Sequence, residues 1–406
     1  MRFTELELSE PLQNAVRSMG YEDPTPIQAQ AIMPALKGRD LVGCAQTGTG
    51  KTAAFVLPAL EHLLREPAKT QAPRVLILTP TRELTIQVAE EARKLAHHTS
   101  LRIAAIYGGA KMQPQIDRLR KGADIVVATP GRLMDHMRRR NVHLSDVQIL
   151  VLDEADRMLD MGFLPDIEHI VYQTPRQRQT MLFSATMPPA ISALARQFQR
   201  DPVRIDIDTA RPPEAIQQAL YPVPKHLKVP LLLAILKRLE VESMLVFTRT
   251  KREADIVTRQ LNEAGISVAC IHGDFRQRQR ISALEGFRSG KHRVLVATNV
   301  AARGLDVEGI SHVINYDVPD EAENYVHRIG RTARFDAEGD AITLVTPDDE
   351  KLIQHIEYLL GFKLERKQLP GFDYDVPVPS WARPSPETLR KGSKGQSLAD
   401  RWRSML

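Results

Sequence analysis

The sequence predicts an α/β protein built from two similar lobes, each a mostly parallel β-sheet covered by helices. Short apolar runs with the length of strands recur along the chain, and stretches with helical periodicity separate them. This alternation is typical of strand–helix–strand units, which form parallel sheets. It pauses at a short proline-containing segment near residue 210 and then starts again. We therefore expect two lobes in the 406 residues.

The first predicted lobe comprises residues 1–208. Its strand-like runs are residues 41–44, 74–78, 103–107, 125–128, 149–152 and 180–183, and helical stretches such as 53–64 and 84–96 lie between them. Polar residues follow several of these runs, namely Thr79, Thr129, Asp153 and Ser184. In parallel sheets, functional residues belong at the carboxyl ends of the strands, so these positions indicate where a site should form.

A linker is predicted at residues 209–217 and the second lobe at residues 218–370. The strand-like runs of the second lobe are residues 244–247, 268–271, 294–297, 312–315 and 341–345. The remaining residues, 371–406, are rich in Pro, Ser, Lys and Arg, and we expect a basic, flexible tail. A helix-like stretch near its end is too short to be stable alone.

One glycine-rich segment, residues 45–52, has the composition of a phosphate-binding loop. It reads Ala-Gln-Thr-Gly-Thr-Gly-Lys-Thr, between a predicted strand and a predicted helix. Its glycines let backbone N–H groups turn towards phosphate oxygens, while Lys51 supplies a positive charge and Thr52 a hydroxyl for Mg²⁺. Ala45 replaces the first glycine of the general pattern, and a turn that merely caps a helix is the alternative. The segment predicts one nucleoside triphosphate site, because the second lobe contains no similar loop.

Two carboxylates follow the apolar run at residues 149–152. At the end of a buried strand, Asp153 is placed to hold the metal ion through water. The adjacent Glu154 is placed to orient and deprotonate an attacking water. Acidic residues after a strand are often solvated turn residues, which is the alternative. In combination with a phosphate-binding loop, the pair predicts nucleotide hydrolysis.

The composition excludes several classes of protein. Two cysteines, Cys44 and Cys270, are too few for a disulfide framework, and no apolar run approaches the ~20 residues of a membrane span. We therefore expect a cytoplasmic protein that has no contact with a membrane. The net charge is +5, and residues 381–406 hold +4 of it, with six Lys/Arg and two Asp/Glu. Because the two lobes are nearly neutral, a nucleic-acid site on them has to come from local placement of charge.

Six motifs occur in an order that resembles the DEAD-box RNA helicases. Besides the phosphate-binding loop, they are Pro-Thr-Arg-Glu-Leu at 80–84, Thr-Pro-Gly-Arg at 129–132, Asp-Glu-Ala-Asp at 153–156, Ser-Ala-Thr at 184–186 and His-Arg-Ile-Gly-Arg-Thr at 327–332. The resemblance runs from about residue 3 to residue 370, and residues 151–163 and 245–251 are most similar to the bacterial RhlE-type branch. It implies two tandem RecA-like domains, ATP and Mg²⁺ as cofactors, and RNA as the partner.

The resemblance also implies the residues of the nucleotide site. The carboxamide of Gln28 matches the N6/N7 edge of adenine; it belongs to the Q motif, with Phe3 stacked on the base. Thr52 and Asp153 are the implied metal ligands. The implied nucleotide-binding residues are Phe3, Gln28, Gln46, Thr47, Gly48, Thr49, Gly50, Lys51, Thr52 and Asp306. The implied catalytic residues are Lys51, Asp153, Glu154, Ser184, Thr186, His327, Arg331 and Arg334.

Three arginines of the second lobe have the spacing of one helical face, namely Arg328, Arg331 and Arg334. Such a face is usually a solvated one, which is the alternative. The resemblance assigns Arg331 and Arg334 to the γ-phosphate, where a guanidinium stabilises phosphoryl transfer. It assigns His327 to bonds with the acidic motif and with the Ser-Ala-Thr motif. ATP would then be fully coordinated only when the lobes close.

RNA contacts are expected to reach sugar and phosphate, so that binding does not depend on base sequence. Contacts with the 2′-hydroxyl would favour RNA over DNA. The implied RNA-binding residues are Arg82, Gly108, Gly109, Thr129 and Arg132 in the first lobe, and Arg249, Gly273, Gln277, Arg280 and Thr298 in the second.

We therefore predict a monomeric, ATP-dependent RNA helicase that separates short duplexes in ribosome assembly or RNA turnover, with ribosomal or RNA-decay proteins as possible partners. One rival is an RNA-binding clamp with negligible turnover, which the intact Glu154, Arg331 and Arg334 disfavour. Another is a DNA translocase, which the Q motif and the Asp-Glu-Ala-Asp motif disfavour. Two positions depart from the family pattern: Asn299 replaces a usual Asp, and Ala333 a common Gly.

Overall fold

The computed structural model describes residues 2–45, 48–66, 70–207, 216–239, 242–299, 310–332 and 339–377. These residues form two compact units, one up to residue 207 and one from residue 216 onward. Each unit contains a seven-stranded sheet, and every strand pair in the described ranges is parallel. The predicted fold class is confirmed.

In the first unit, the strand order across the sheet is β3-β4-β2-β5-β6-β1-β7. The strands are β1 Leu41–Cys44, β2 Val75–Leu78, β3 Ile103–Ile106, β4 Ile125–Ala128, β5 Ile149–Leu152, β6 Gln179–Ser184 and β7 Val203–Asp206. The helices are α1 Glu10–Ser18, α2 Pro26–Leu36, α3 Lys51–Arg65, α4 Arg82–Leu95, α5 Met112–Arg120, α6 Pro130–Arg138, α7 Ala155–Asp160, α8 Leu164–Tyr172 and α9 Pro189–Phe198.

Helices cover both faces of the first sheet, which explains why its central strands are continuous apolar runs. In β2, Val75 and Ile77 pack into one hydrophobic cluster, while Leu76 and Leu78 pack into another. Successive side chains of a strand point to opposite faces, so each cluster fills one side of the sheet. Two buried layers hold the strands rigidly and fix the positions of the loops at their carboxyl ends.

In the second unit, the strand order is β10-β11-β9-β12-β13-β8-β14. The strands are β8 Ile216–Pro222, β9 Met244–Thr248, β10 Val268–Ile271, β11 Val294–Thr298, β12 His312–Asn315, β13 Gly339–Val345 and β14 Glu365–Arg366. The helices are α10 Lys228–Arg238, α11 Lys251–Glu263, α12 Gln277–Arg288, α13 Ala322–Ile329 and α14 Glu350–Leu360. Short 3-10 helices occur at Phe3–Glu5 in the first unit and at Lys225–Leu227 and Pro347–Asp349 in the second.

The structure adds details at the predicted boundaries. Strand β8 begins at residue 216, so it overlaps the predicted linker 209–217 by two residues. The predicted tail starts with ordered structure, because Phe372 and Tyr374 pack against the core of the second unit. The tail from residue 378 onward, with its helix-like stretch, lies outside the described residues. None of the helices in the described ranges has the length and apolar character needed to cross a membrane.

Candidate functional site

The phosphate-binding loop connects β1 to α3 in the first unit, as predicted. Gly48 and Gly50 both have a φ of +86°, a conformation that favours glycine. Gly50 is also the residue that immediately precedes the helix, and a Cβ there would collide with the amide of Gln28. Glycine at position 50 therefore lets α2 and the start of α3 pack closely, and the start of a helix is a usual site for an anion. Gln46 and Thr47 lie outside the described residues.

Lys51 is the first residue of α3, and only 6% of it is exposed. Its Nζ atom donates a hydrogen bond of 2.8 Å to the backbone oxygen of Ala45, across the loop. The ammonium group is thus held against the first residue of the loop. Thr52, the next residue, is half-buried in the first turn of the helix.

Thr25, just before α2, and Gln28, in its first turn, form hydrogen bonds with this loop. The Thr25 hydroxyl donates a hydrogen bond of 2.7 Å to the backbone oxygen of Thr49, and Gln28 Nε2 donates one of 3.0 Å to that of Gly50. Gln28 Oε1 accepts a bond of 2.9 Å from the backbone N–H of Thr25. These bonds use one N–H and one lone pair of the carboxamide, and each of its two atoms can make one further bond. The adenine contact of Gln28 stays a prediction.

Phe3 lies in the hydrophobic core of the first unit. Only 3% of it is exposed, and its ring centroid is 5.7 Å from that of Tyr21. Stacking on a base therefore requires part of this ring to be uncovered. The stacking role stays a prediction.

Asp153 follows β5, and its backbone N–H donates a bond of 2.9 Å to the backbone oxygen of Leu78. The side chain is buried, and its Oδ1 atom has no hydrogen-bond partner within the described structure. Burial raises the pKa of the Asp153 carboxyl to about 7, and Lys51 opposes the increase. A buried carboxylate oxygen without a partner is costly unless a ligand compensates for it, so the residue fits a metal cation.

Glu154 has a left-handed backbone conformation, with a φ of +53°. Its Oε2 atom accepts a hydrogen bond of 2.7 Å from the Arg157 guanidinium, and 4% of each side chain is exposed. The ion pair leaves Oε1 as the oxygen that is open to a further bond. A buried pair of this kind holds the carboxylate in one position.

Asp156 connects the acidic motif to the Ser-Ala-Thr motif. Its Oδ2 atom accepts bonds from the backbone N–H groups of Ala185 and Thr186, at 3.1 and 2.9 Å, and from the Thr186 hydroxyl at 3.0 Å. The Asp156 N–H donates to the Ser184 hydroxyl at 3.3 Å. In addition, the N–H of Ala45 donates to the Ser184 backbone oxygen at 3.0 Å. The three motifs therefore form one bonded network, with Ser184 completely buried.

A second cluster lies at the carboxyl ends of β3, β4 and β2, beside the acidic motif. The Arg82 guanidinium packs against Gly108 and Gly109, where a Cβ on Gly109 would collide with it. Arg132 donates a bond of 3.1 Å to the backbone oxygen of Ala110 in the same loop. Thr129, which precedes α6, is 8% exposed. The structure thus brings the predicted RNA-binding residues of the first lobe together.

In the second unit, three predicted RNA-binding residues follow neighbouring strands. Arg249 follows β9, Gly273 lies just beyond β10, and Thr298 is the last residue of β11. Arg280 and Gln277 lie on α12. Arg249 pairs with Asp320 and Asp349, with N–O distances of 3.3 and 3.7 Å. The equivalent three strands of the first unit carry its own predicted RNA-binding residues.

The prediction that Arg328, Arg331 and Arg334 share one helical face is wrong, because α13 ends at Ile329 before it reaches Arg331. Arg328 is 3% exposed and points into the second unit, with bonds to the side-chain oxygens of Asn299 at 2.6 Å and Asn315 at 3.0 Å. Arg331 is also 3% exposed, and it follows the helix in a turn.

The structure describes only some of the remaining predicted site residues of the second lobe. His327 is half-buried in the last turn of α13. Arg334, Asp306 and Ala333 lie outside the described residues. The assigned roles of His327, Arg331, Arg334 and Asp306 stay predictions.

Asp156 and Arg157 are residues of the site that sequence reasoning did not single out. The signal for Asp156 was present, since it is the last letter of the Asp-Glu-Ala-Asp motif. Its bonds to residues 185 and 186 depend on β5 and β6 being neighbours, which the chain order does not reveal. The sequence around Arg157 gave no indication that this residue belongs to the site, since it reads only as a charged residue on a helix.

Models of two families match the chain. That of the DEAD/DEAH box helicases matches residues 25–194, and that of the helicase conserved C-terminal domain matches residues 227–336. Relatives include the ATP-dependent RNA helicase CshA of Listeria monocytogenes, which is 44% identical over 98% of this chain and 76% of the relative. The DEAD-box ATP-dependent RNA helicase CshA of Bacillus cereus is 45% identical over 91% of this chain and 70% of the relative.

Solved structures also resemble this one. Dbp5 from S. cerevisiae, bound to RNA and ADP BeF3, gives a TM-score of 0.81 at 30% identity, over 90% of this chain and 95% of that chain. Mss116p, bound to ssRNA and AMP-PNP, gives a TM-score of 0.81 at 27% identity, over 90% of this chain and 78% of that chain.

Proposed function

We propose that this chain, which belongs to the DEAD-box family of ATP-dependent RNA helicases, uses ATP hydrolysis to separate short RNA duplexes locally. One observation carries the proposal. The phosphate-binding loop, the Asp-Glu-Ala-Asp motif and the Ser-Ala-Thr motif follow β1, β5 and β6, while the predicted RNA-binding residues of the first lobe follow β2, β3 and β4 of the same sheet. Because β2 and β5 are neighbours, a change at one site can reach the other through a single strand pair.

In the first step, the loop binds the triphosphate through backbone N–H groups and the N-terminus of α3. Lys51 would leave the Ala45 oxygen and pair with the outer phosphates. Thr52 and Asp153 would hold Mg²⁺, which neutralises charge on the β- and γ-phosphates. The buried Oδ1 of Asp153, without a partner in the described residues, supports this assignment.

Glu154 then orients the attacking water and accepts its proton. Arg157 holds Oε2, so Oε1 is the atom that we assign to the water. Asp156 keeps Ser184 and Thr186 attached to the acidic motif, so that a shift of the acidic motif moves the Ser-Ala-Thr motif with it. We assign Arg331 and Arg334 to the charge that develops on the γ-phosphate in the transition state.

The chain would bind RNA through the sugar-phosphate backbone of one RNA strand. Arginines and exposed glycine backbones suit phosphates, and a threonine hydroxyl suits a phosphate or a ribose. Both solved relatives described above are bound to RNA, in agreement with this assignment. We further propose a cytoplasmic monomer of the RhlE-type branch that acts in ribosome assembly or RNA turnover, with ribosomal or RNA-decay proteins as partners.

A comparison of ATP turnover without nucleic acid, with single-stranded RNA and with DNA of the same sequence tests the proposed function. We expect RNA to stimulate turnover strongly and DNA to stimulate it little. Equal stimulation by both would favour a DNA translocase, and RNA binding without stimulated turnover would favour a clamp. Lys51→Ala is the control for contaminating ATPases, because it removes the ammonium group from the phosphate-binding loop.

A further inference from the structure

The second unit contains a group of three side chains of types that can ligate a metal. None of them is itself a predicted nucleotide- or RNA-binding residue, and one of them, His272, directly precedes the RNA candidate Gly273. Asp255 lies on α11, Cys270 on β10, and His272 just after β10. Their ligand atoms all lie within 4.8 Å of one another. Among the residues that the structure describes, this is the one group of three His, Cys, Asp or Glu side chains that comes so close.

The fold produces this group from local geometry. Cys270 and His272 are two residues apart at the end of an extended segment, so their side chains point to the same face. Helix α11 packs on that face of β10 and brings Asp255 over it. His272 Nε2 is 2.9 Å from Asp255 Oδ1. The group is thus formed by α11, β10 and the residue that follows β10.

The distances fit a tetrahedral cation after a small movement. Zinc bonds of about 2.0–2.3 Å to oxygen, nitrogen and sulfur put neighbouring ligand atoms roughly 3–4 Å apart. The site is also accessible, since the Asp255 side chain is 61% exposed and Cys270 is half-buried. His272 is 6% exposed, so its ring is held in place. A water molecule would fill the fourth position.

The ligand types select the class of cation. A thiolate and an imidazole favour zinc and similar borderline-to-soft divalent ions, whereas Mg²⁺ prefers oxygen ligands. Burial raises the pKa of the Cys270 thiol, so a cation has to displace its proton, as zinc does in other cysteine sites. We propose that Asp255, Cys270 and His272 form a three-ligand site for a divalent cation of the zinc class.

The alternative is a simple hydrogen bond between His272 and Asp255. The Asp274 N–H lies 3.4 Å from His272 Nδ1, which fits an Nε2–H that donates to Asp255. In that case Cys270 would have no part in binding a cation. A cation on Nε2 would move the proton to Nδ1 and break the bond with the Asp274 N–H. The role of Cys270 therefore distinguishes the two interpretations.

Cobalt is a direct probe, because a thiolate bound to Co²⁺ gives a charge-transfer band in the near ultraviolet and tetrahedral Co²⁺ absorbs visible light. The experiment titrates Co²⁺ into the full, untagged chain without nucleotide or RNA, and then adds Zn²⁺. We expect both bands to appear with one equivalent of Co²⁺ and to disappear when Zn²⁺ displaces it. No band in the wild-type protein would overturn the proposal.

Single variants test each ligand. Cys270→Ser should abolish the charge-transfer band, and His272→Gln and Asp255→Asn should each weaken Co²⁺ binding by roughly tenfold or more. Cys44→Ser is the matched control, since Cys44 is the other cysteine of the chain, and it should leave both bands unchanged. The Asp255→Asn protein should fold normally, because the side chain that it changes is exposed. A band that depends on Cys44, or that survives both His272→Gln and Asp255→Asn, would contradict the three-ligand site.

Discussion

Glu154 has a backbone conformation and an ion pair that its motif does not reveal. The sequence identified the carboxylate from its position after a strand and beside a phosphate-binding loop. The structure adds the left-handed backbone and the bond to Arg157, whose side chain is 4% exposed. Motifs therefore predict which residues meet, whereas the bonds among them depend on contacts that the order of residues does not specify. The same holds for the bonds of Asp156 to residues 185 and 186.

The pair of Glu154 and Arg157 should matter for stability. Arg157→Ala leaves a buried carboxylate without its charged partner, and such changes cost about 3–5 kcal/mol. We expect the midpoint of unfolding in guanidinium chloride to fall accordingly. Arg204→Ala is the control, because the Arg204–Asp206 pair is exposed and should be worth about 0–1 kcal/mol. Similar losses in both variants would show that Glu154 does not depend on its buried partner.

Gly273 has no structural need to be glycine. A Cβ there would meet no atom within 4 Å, and its φ is not positive. We therefore expect Gly273→Ala to leave the free energy of unfolding unchanged but to weaken RNA binding, since a methyl group would obstruct a close phosphate.

Gly290 is the opposite case and serves as the control for Gly273. Its φ is +73°, so Gly290→Ala should destabilise the second unit by about 1–2 kcal/mol and leave RNA affinity unchanged. RNA affinity that stays constant in Gly273→Ala would remove this residue from the proposed RNA contacts.

Helices and strands were predictable where their pattern was strong. The central strands of both sheets, such as β5 and β9, are continuous apolar runs because they are buried on both faces. Strands β7, β8 and β14 were not predicted, because all three contain polar residues. Strands β7 and β14 lie at sheet edges, where one side of the strand lacks a neighbour. The end of α13 at Ile329 was not predicted either, because the spacing of arginines does not indicate where a helix ends.

Helix α6 carries a pH-sensitive contact. His136 is completely buried, and its Nε2 and Nδ1 atoms lie 3.3 Å from Gln115 Oε1 and 3.4 Å from Asn141 Nδ2. These partners fit a neutral ring that donates from Nε2 and accepts at Nδ1. Burial lowers the pKa of His136, so below a pH of about 6.5 the unfolded chain binds a proton that the folded chain does not.

We therefore expect the stability of the first unit to fall as the pH decreases through this range. His136→Asn should be less stable at neutral pH but lose less stability on acidification. Calorimetric melts between about pH 7.5 and pH 5.5 measure both effects. His98→Asn, which changes an exposed ring, is the control. An equal pH dependence in His136→Asn and the wild type would contradict this account.

At the scale of the whole molecule, charge is distributed unevenly. Residues 381–406 hold +4 of the net charge of +5, and they lie outside the described residues. A basic segment binds phosphates by releasing counterions, which makes the affinity depend on salt. Deletion of residues 381–406 should therefore weaken RNA binding and flatten its salt dependence.

The same deletion should leave ATP turnover at saturating RNA intact, because the motifs lie before residue 370. A salt titration and a thermal melt of the truncated chain provide the measurements. An unchanged salt slope with a lower melting temperature would indicate that the tail packs on the fold instead.

Strand separation of a short RNA duplex, followed together with ATP hydrolysis, tests the central claim most directly. We expect the wild-type chain to separate the RNA strands only when ATP is present. Lys51→Ala should neither separate the strands nor hydrolyse ATP. Glu154→Gln should bind ATP and RNA but fail to hydrolyse ATP, because an amide does not accept the proton of the water, and it should release RNA slowly. Strand separation that does not depend on ATP, or hydrolysis in Glu154→Gln at the wild-type rate, would contradict the account.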